Sequence, residues 1–171
     1  MTKHFNPMWL EEPDKSKWEY TFALIKPDVV EYHQAGQIIT EMEKHFIVCD
    51  GVLMTWSRSF LMQFYAEHYG KEFFEPLIEF MSSGPMYAMT LVRPNAVQHW
   101  RNLIGPTDPR KSGVGMIRGL YGDQTGVIMR NAVHGSDSKQ RAFEEMMLVR
   151  RLFLINFGDG ALRTVERYSR G

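Results

Sequence analysis

The chain has 171 residues, of which 44% are hydrophobic and 23% charged, so it can form a soluble domain with a core of its own. Lys+Arg and Asp+Glu are equal at 20 each, and this balance counts against a nucleic-acid backbone as the main partner. The single cysteine, Cys49, excludes an internal disulfide and a cysteine-built metal centre, and the scattered histidines show no metal-binding spacing. No apolar stretch approaches the roughly twenty residues needed to span a bilayer.

Residues 1–19 are predicted to be an N-terminal extension, because they are polar, contain two prolines and show no sustained hydrophobic period. They lack the apolar segment of a secretory signal. Their acidic residues Glu11, Glu12 and Asp14 count against a transit peptide. We therefore expect an intracellular protein, cytoplasmic by default, and leave a mitochondrial location open.

The first predicted strand is Tyr20–Ile25, and it ends at Lys26-Pro27-Asp28. Proline cannot donate to a strand ladder, and it holds the preceding residue extended. Lys26 is thereby placed at the end of the strand, where ligands collect in open sheets. A solvated lysine in a turn is the alternative interpretation.

An amphipathic helix over 36–46 and a strand over 47–56 come next. Asp50-Gly51 within that strand could form a hairpin turn, but the run before it is too short to pair. We therefore predict one strand with an irregularity.

Two helices follow. Ser57 or Ser59 is predicted to cap the first, and Gly70 to end it. The second covers 71–81, where Pro76 is tolerated only near the first turn. It carries an apolar stripe that predicts a core-facing side: Phe73, Phe74, Leu77 and Phe80.

The remaining elements are a strand over 86–92, a helix over 95–104, a Gly/Pro-rich loop over 105–113, an apolar strand over 127–129 and a helix over 138–148. This order predicts an α+β fold. It is a ferredoxin-like βαββαβ antiparallel sheet with helices on one face, plus additional helices and a long loop.

His134 stands between the last strand and the last helix. Gly135 permits a turn, and the polar run 136–138 can cap the helix. A neutral imidazole beside the free N–H groups of a helix start suits an anion, and histidine can accept a phosphoryl group covalently. Taken alone, a histidine that merely completes a strand is the simpler interpretation.

Asn131 and the run His134-Gly135-Ser136-Asp137-Ser138 resemble the active-site signature of the nucleoside diphosphate kinases. The resemblance extends from about Tyr20 to Leu148, and separate stretches agree in order and spacing. It implies transfer of the γ-phosphoryl group of a nucleoside triphosphate to a nucleoside diphosphate, by a ping-pong route through phospho-His134. It also implies Mg²⁺ delivered with the nucleotide, no metal ligands in the protein, and a homo-oligomer with subunit contacts near Pro109.

The resemblance also assigns roles that the individual residues do not reveal, since each could be an ordinary surface or core residue. It implies that Lys26 contacts the phosphates and the sugar, and that Glu145 orients the catalytic His134. The other implied nucleotide contacts are Tyr69 near the transferred phosphate, Phe73 and Leu77 at the base, Arg101, Thr107 and Arg118 at the phosphates, and Asn131 at the sugar.

The chain departs from the family pattern between residues 120 and 129. Leu120 replaces an acidic residue, Met129 replaces a glycine, and 122–126 adds about three residues to a loop, which domains tolerate. Whether Val127, Ile128 or neither faces the base is left open. Beyond Leu148 the resemblance fades, so we predict a domain over 20–150 and a divergent tail over 151–171.

These departures support an alternative: a protein of the same fold with weak or no activity alone, acting through a protein partner or as a scaffold. The retention of His134 together with the phosphate-binding set counts against it. Nucleic-acid binding is a third hypothesis, and the neutral charge balance disfavours it.

Overall fold

The computed structural model describes residues 17–168, and the side chains of residues 17–154. The elements in chain order are β1 (Trp18–Ile25), α1 (Pro27–Glu31), α2 (Ala35–His45), β2 (Ile47–Met54), α3 (Arg58–Phe64), α4 (Phe74–Met81), β3 (Met86–Pro94), α5 (Ala96–Ile104), α6 (Ile117–Tyr121), β4 (Val133–Gly135) and α7 (Lys139–Tyr168). Short 3₁₀ turns occupy Ala66–His68 and Pro109–Lys111.

The four strands form one antiparallel sheet in the order β2-β3-β1-β4. β1 pairs with β3 along its whole length, from Trp18 opposite Pro94 to Ile25 opposite Tyr87. β4 is a short edge strand that pairs only with the end of β1. Together with α2 and α5, these strands make the βαββαβ arrangement, which confirms the predicted fold class.

Two cores lie on opposite faces of the sheet, because successive side chains of β1 point to opposite sides. Ala23 and Ile25 pack with residues of α2 and α5, so the two helices of the βαββαβ unit share one face. Phe22 and Leu24 pack with residues of α3 and α4, and residues between 146 and 152 of α7 also contact that core. The additional helices therefore cover the second face.

β2 has the predicted irregularity. Its register against β3 shifts between Cys49 and Val52, and Asp50 has a φ of 55°. The cap of α3 is Ser57, whose Oγ accepts from the Phe60 N–H at 3.2 Å.

The prediction that Gly70 ends this helix is wrong. α3 ends at Phe64, and a 3₁₀ turn separates it from Gly70, whose φ of 80° serves the next turn.

The predicted strand at 127–129 is also wrong. These residues lie in a loop in which the Arg130 N–H donates to the Val127 carbonyl at 2.9 Å and the Asp123 N–H donates to the Arg130 carbonyl at 2.7 Å. Local hydrogen bonds thus satisfy the backbone without a partner strand. The strand begins at Val133, so His134 lies in its middle rather than after its end.

α7 continues without interruption across the predicted boundary at residues 150 and 151. β1 begins at Trp18, within the predicted extension, and residues 1–16 lie outside the described residues. The domain boundaries therefore stay predictions. Between residues 17 and 168, no helix has both the length and the apolar character needed to cross a membrane.

Gly135 is required where β4 crosses α5. A Cβ at this position would lie 2.5 Å from Trp100 Cδ1, and the Trp100 indole N–H donates to the His134 carbonyl at 3.2 Å. We expect Gly135→Ala to lower the free energy of unfolding by roughly 1–3 kcal/mol, because a buried ring has to move. Urea denaturation measures it.

Gly36 in α2 is the matched control, since a Cβ there meets nothing within 4 Å. Gly36→Ala is expected to stabilise the protein by about 0.5 kcal/mol, because it restricts the unfolded chain. Equal stability of Gly135→Ala and the wild type would contradict the packing argument.

Candidate active site

A cavity of about 930 Å³ opens beside His134, where β1 and β4 end. The structure brings together there all of the predicted site residues except Tyr69. Those lining it are Lys26, Phe73, Leu77, Arg101, Thr107, Arg118, Asn131, His134 and Glu145. They come from six separate segments of the chain, so the fold rather than the sequence order assembles the site.

The imidazole of His134 is held by α7. Its Nε2 lies 3.1 Å from Glu145 Oε1, and the Ser136 hydroxyl donates to Glu145 Oε2 at 2.6 Å. Because an ionised carboxylate only accepts, we assign the proton to Nε2. Nδ1 then carries a lone pair and has no hydrogen-bond partner among residues 17–154.

The carboxylate that holds this imidazole is itself buried, with Glu145 only 3% exposed. Burial on its own raises the pKa of Glu145. The electrostatic interaction and hydrogen bond with His134, the hydrogen bond from Ser136 and the charge of Arg141 outweigh it, so the pKa of Glu145 lies below the usual value. Glu145 is therefore ionised and able to accept from His134.

Lys26 follows β1 directly, and its side chain is 5% exposed. Its Nζ donates to Asn131 Oδ1 at 2.6 Å and to the Met129 carbonyl at 3.1 Å. Desolvation, assisted by the charge of Arg118 and opposed by that of Asp28, lowers the pKa of Lys26 from 10.5 to about 7. A bound anion would restore the charged form.

Two guanidinium groups border the same cavity. Arg118 donates from Nη1 to the Gly105 carbonyl at 2.9 Å and from Nη2 to the Val133 carbonyl at 3.0 Å. Burial, followed by the charge of Arg101, lowers the pKa of Arg118 to about 10. Arg101 is exposed, and its guanidinium has no hydrogen bond or ion pair among the described residues. Repelling cations around one cavity are an anion site.

Thr107 and Asn131 are coupled, since the Asn131 amide donates to the Thr107 carbonyl at 2.9 Å. With Lys26 on its oxygen, the Asn131 side chain joins the end of β1 to the loop after α5. Both of these site residues are thus held in place before any ligand binds.

Asp28 was not among the predicted site residues, yet it shapes the site. Its Oδ2 accepts from the Ala132 N–H at 3.2 Å, and Ala132 has a φ of 68° in the left-handed region. That conformation is unfavourable for alanine, so the buried hydrogen bond maintains it. It sets the course of the backbone between Asn131 and His134.

Tyr69 does not lie where it was predicted, near the transferred phosphate. It is 76% exposed, lies outside the cavity lining and packs against Phe74 at a ring separation of 5.6 Å. Tyr65 lines the cavity instead, with its ring 6.2 Å from that of His134. The physical reason is the early end of α3: Tyr65 closes the helix on the core side, and the 3₁₀ turn carries Tyr69 away to the surface.

An apolar slot forms the outer part of the cavity. Phe73 is 45% exposed and Leu77 7% exposed, and both line it. Val127 and Ile128 line the same cavity from the altered loop, so that loop supplies apolar surface to the slot.

Sequence reasoning also missed His68 and Arg141, which border the cavity. His68 is stacked on Tyr65 at a ring separation of 6.1 Å. His68 could have been found from the sequence, because the stretch 65–68 comes shortly before Phe73, the residue predicted to contact the base. For Arg141 the signal was the i,i+4 spacing to Glu145.

No group of three or more metal-ligating side chains occurs in the part of the chain that the structure describes. Glu145, the buried carboxylate of the site, is already engaged by His134 and Ser136. The polar groups of this site that can meet a ligand are therefore its cationic side chains and the imidazole of His134.

A ferredoxin-like sheet that carries an oriented histidine at a cationic cavity with an apolar slot defines a phosphotransferase. The family model for nucleoside diphosphate kinase matches residues 19–151. The chain is 41% identical over 131 residues to a nucleoside diphosphate kinase of Listeria monocytogenes, covering 76% of this chain and 87% of that one. It is 43% identical over 129 residues to one of Sorangium cellulosum, covering 75% and 88% respectively.

Solved structures agree. The nucleoside diphosphate kinase of Aquifex aeolicus superposes with a TM-score of 0.72 at 33% identity, over 77% of this chain and 94% of that one. The halophilic enzyme of Halobacterium salinarum, solved in complex with CDP, gives a TM-score of 0.71 at 36% identity, over 76% and 86%. The chain belongs to the nucleoside diphosphate kinase family.

The shifted pKa of Lys26 predicts a pH dependence of stability. Between about 7 and 10.5 the unfolded chain holds a proton that the folded chain has lost, so the free energy of unfolding rises with pH. Lys26→Met should lack this rise. Denaturant titrations between about pH 6 and about pH 10 measure it, and parallel curves for the two proteins would contradict the assignment.

Proposed function

We propose that this nucleoside diphosphate kinase works by a ping-pong mechanism in which His134 carries the phosphoryl group. The observation that supports it most directly is the orientation of the imidazole, with Nε2 on Glu145 and Nδ1 unengaged at the cavity. Nucleophilic catalysis needs one nitrogen held and the other free.

In the first half-reaction, the Nδ1 lone pair of His134 attacks the γ-phosphorus. The bond from phosphorus to the β–γ bridging oxygen breaks, and the diphosphate leaves with that oxygen. The proton on Nε2 stays hydrogen-bonded to Glu145, whose charge stabilises the positive ring. A terminal β-phosphate oxygen of a nucleoside diphosphate then attacks the phosphorus. The Nδ1–phosphorus bond breaks, its electron pair returns to Nδ1, and neutral His134 is restored.

The cations bind and stabilise the phosphates. Arg101, Arg118 and Thr107, which line the cavity, would bind the β- and γ-phosphates, and Lys26 would contact the transferred group and the sugar. Tyr65 replaces Tyr69 in our assignment of the aromatic hydroxyl beside the transfer path. Phosphoryl transfer depends mainly on such positioning and charge stabilisation.

Magnesium enters as part of the substrate in this proposal. A magnesium–nucleotide complex would bring a divalent cation that offsets part of the phosphate charge, and Lys26, Arg101 and Arg118 would supply the protein's own positive charges. Asn131, together with Lys26, would contact the ribose. Assembly into a homo-oligomer stays a prediction from the family resemblance.

The alternative of a partner-dependent or scaffold protein gains no support from the site. The loop that motivated it contributes apolar surface to the cavity instead of closing it. The nucleophile, its orienting carboxylate and the phosphate-facing cations occur together.

The central test is phosphoenzyme formation. Protein incubated with γ-labelled ATP should carry acid-labile, alkali-stable label and pass it to an added diphosphate. His134→Ala should reduce the label by at least about a thousandfold, because it removes the nucleophile.

His33→Asn is the matched control, since asparagine tolerates the φ of 56° at this position and His33 lies outside the cavity. Label that persists in folded His134→Ala would overturn the proposal, and label that never reaches an acceptor would refute the second half-reaction.

The slot predicts broad base tolerance, because Phe73 and Leu77 offer stacking surface rather than hydrogen bonds to base edges. Phe73→Ala should raise KM for purine and pyrimidine diphosphates alike, by roughly three- to tenfold, and change kcat less. Steady-state kinetics on a panel of diphosphates measures this. A strong preference of the wild type for one base would refute it.

A further inference from the structure

Arg141 lies on α7 one turn before Glu145 and borders the active-site cavity. Its Nε is 3.2 Å from Glu145 Oε1, the same oxygen that meets His134 Nε2. The Nε–H is not aligned for a hydrogen bond to that oxygen, so the contact is an ion pair. The guanidinium thus fixes the charge and place of the carboxylate that holds the catalytic imidazole.

The outer nitrogens of Arg141 reach the opposite wall. Nη2 donates to the Phe64 carbonyl at 3.0 Å and lies 3.3 Å from Glu67 Oε1. The Phe64 carbonyl belongs to the last residue of α3 and has no helical donor there, and a guanidinium is a favourable partner for it. Arg141 therefore ties α7 to the segment that carries Phe64 and Tyr65, whose rings flank His134 at 5.5 and 6.2 Å.

Arg101 and Arg141 border the same cavity but differ in whether their guanidinium groups are paired with carboxylates. The guanidinium of Arg101 has no hydrogen bond or ion pair among the described residues, and its charge is available to a phosphate. Arg141 is surrounded by carboxylates, since Glu144 Oε2 lies 3.7 Å from its Nη1 in addition to Glu67 and Glu145. A guanidinium already neutralised by three carboxylates has little attraction left for a phosphate.

We propose that Arg141 is a positioning residue for phosphorylation of His134: it fixes Glu145 and joins α7 to the α3 wall, so that Nδ1 faces the incoming phosphorus. This inference rests on the proposed function of His134. Without Arg141, Glu145 loses a charged neighbour and the Phe64 carbonyl loses its donor. The imidazole then samples other rotamers and tautomers, and the attacking nitrogen is misaimed.

The test is single-turnover phosphorylation with γ-labelled ATP, beside equilibrium binding of ADP. Arg141→Gln should lower the rate of His134 phosphorylation at saturating ATP by about tenfold and change the ADP affinity less than about twofold. Arg141→Lys, which keeps the charge but cannot span both walls, should recover only part of the rate.

Lys139→Gln is the matched control. It removes one positive charge from the same helix, but Lys139 is largely exposed and pairs at 3.7 Å with Glu19, away from His134. Thermal unfolding of every variant identifies loss of fold. Glu67→Gln should slow phosphorylation less than Arg141→Gln, and the double variant should be no slower than Arg141→Gln, because both changes break one connection.

A second readout does not depend on catalysis. ¹⁵N–¹H spectra of the histidine rings should show His134 protonated on Nε2 in the wild type and as a tautomer mixture in Arg141→Gln, or in Arg141→Lys if the first does not fold. An unchanged rate and tautomer would overturn the proposal. Weakened ADP binding with an unchanged rate would make Arg141 a phosphate ligand and overturn it too. If the wild type takes no label, the proposed function fails, and the tautomer still decides the role of Arg141.

Discussion

The pairing of β4 with the end of β1 is the contact on which the active site depends. It is only three residues long, with Leu24 opposite His134 at its centre. Lys26 follows that pairing by one residue, and Asn131 precedes it. Groups more than a hundred positions apart in the chain are thereby brought within hydrogen-bond distance. Trp100 against Gly135 and Asp28 on the Ala132 N–H hold this short strand from both sides.

In the free protein, positively charged side chains repel one another at the cavity. Lys26 and Arg118 are both desolvated. The charge of Arg118 helps to lower the pKa of Lys26, and the charge of Arg101 helps to lower the pKa of Arg118. Lys+Arg and Asp+Glu are equal at 20 each in the whole chain, yet Lys26, Arg101 and Arg118 border the same cavity. In the proposed function a bound polyphosphate would relieve that repulsion, and part of the cost of assembling the site would be recovered as affinity.

α7 supplies the other half of the chemistry. Glu145 accepts from His134 and Ser136, and Arg141 reaches from the same face of the helix to the Phe64 carbonyl. His134, the proposed nucleophile, therefore lies between α7, which holds its imidazole, and the rings of Phe64 and Tyr65, which flank it. Changes in how α7 docks would be transmitted directly to the angle of the imidazole.

The sequence by itself determined the order of the elements, the ferredoxin-like class and the residues that share the cavity with His134. The order of the elements and the ferredoxin-like class follow from local hydrophobic periods and from proline and glycine positions. The residues that share the cavity follow from the resemblance to the family, matched position by position along the chain. Local patterns failed at 127–129, because an apolar run in a loop and one in a strand look alike until a partner strand is found. The family resemblance selected Tyr69 instead of Tyr65. The two tyrosines are four residues apart, and only the point at which α3 ends decides which of them faces the cavity.

Only the tertiary structure decided that Tyr65 faces the imidazole, that Val127 and Ile128 extend the apolar slot, and that Asp28 maintains the conformation of Ala132. It also decided that Arg141 reaches Glu145 and the α3 wall at once. Each of these depends on contacts between segments distant in sequence, and such contacts are fixed by how the helices pack on the two faces of the sheet rather than by any local preference of the chain.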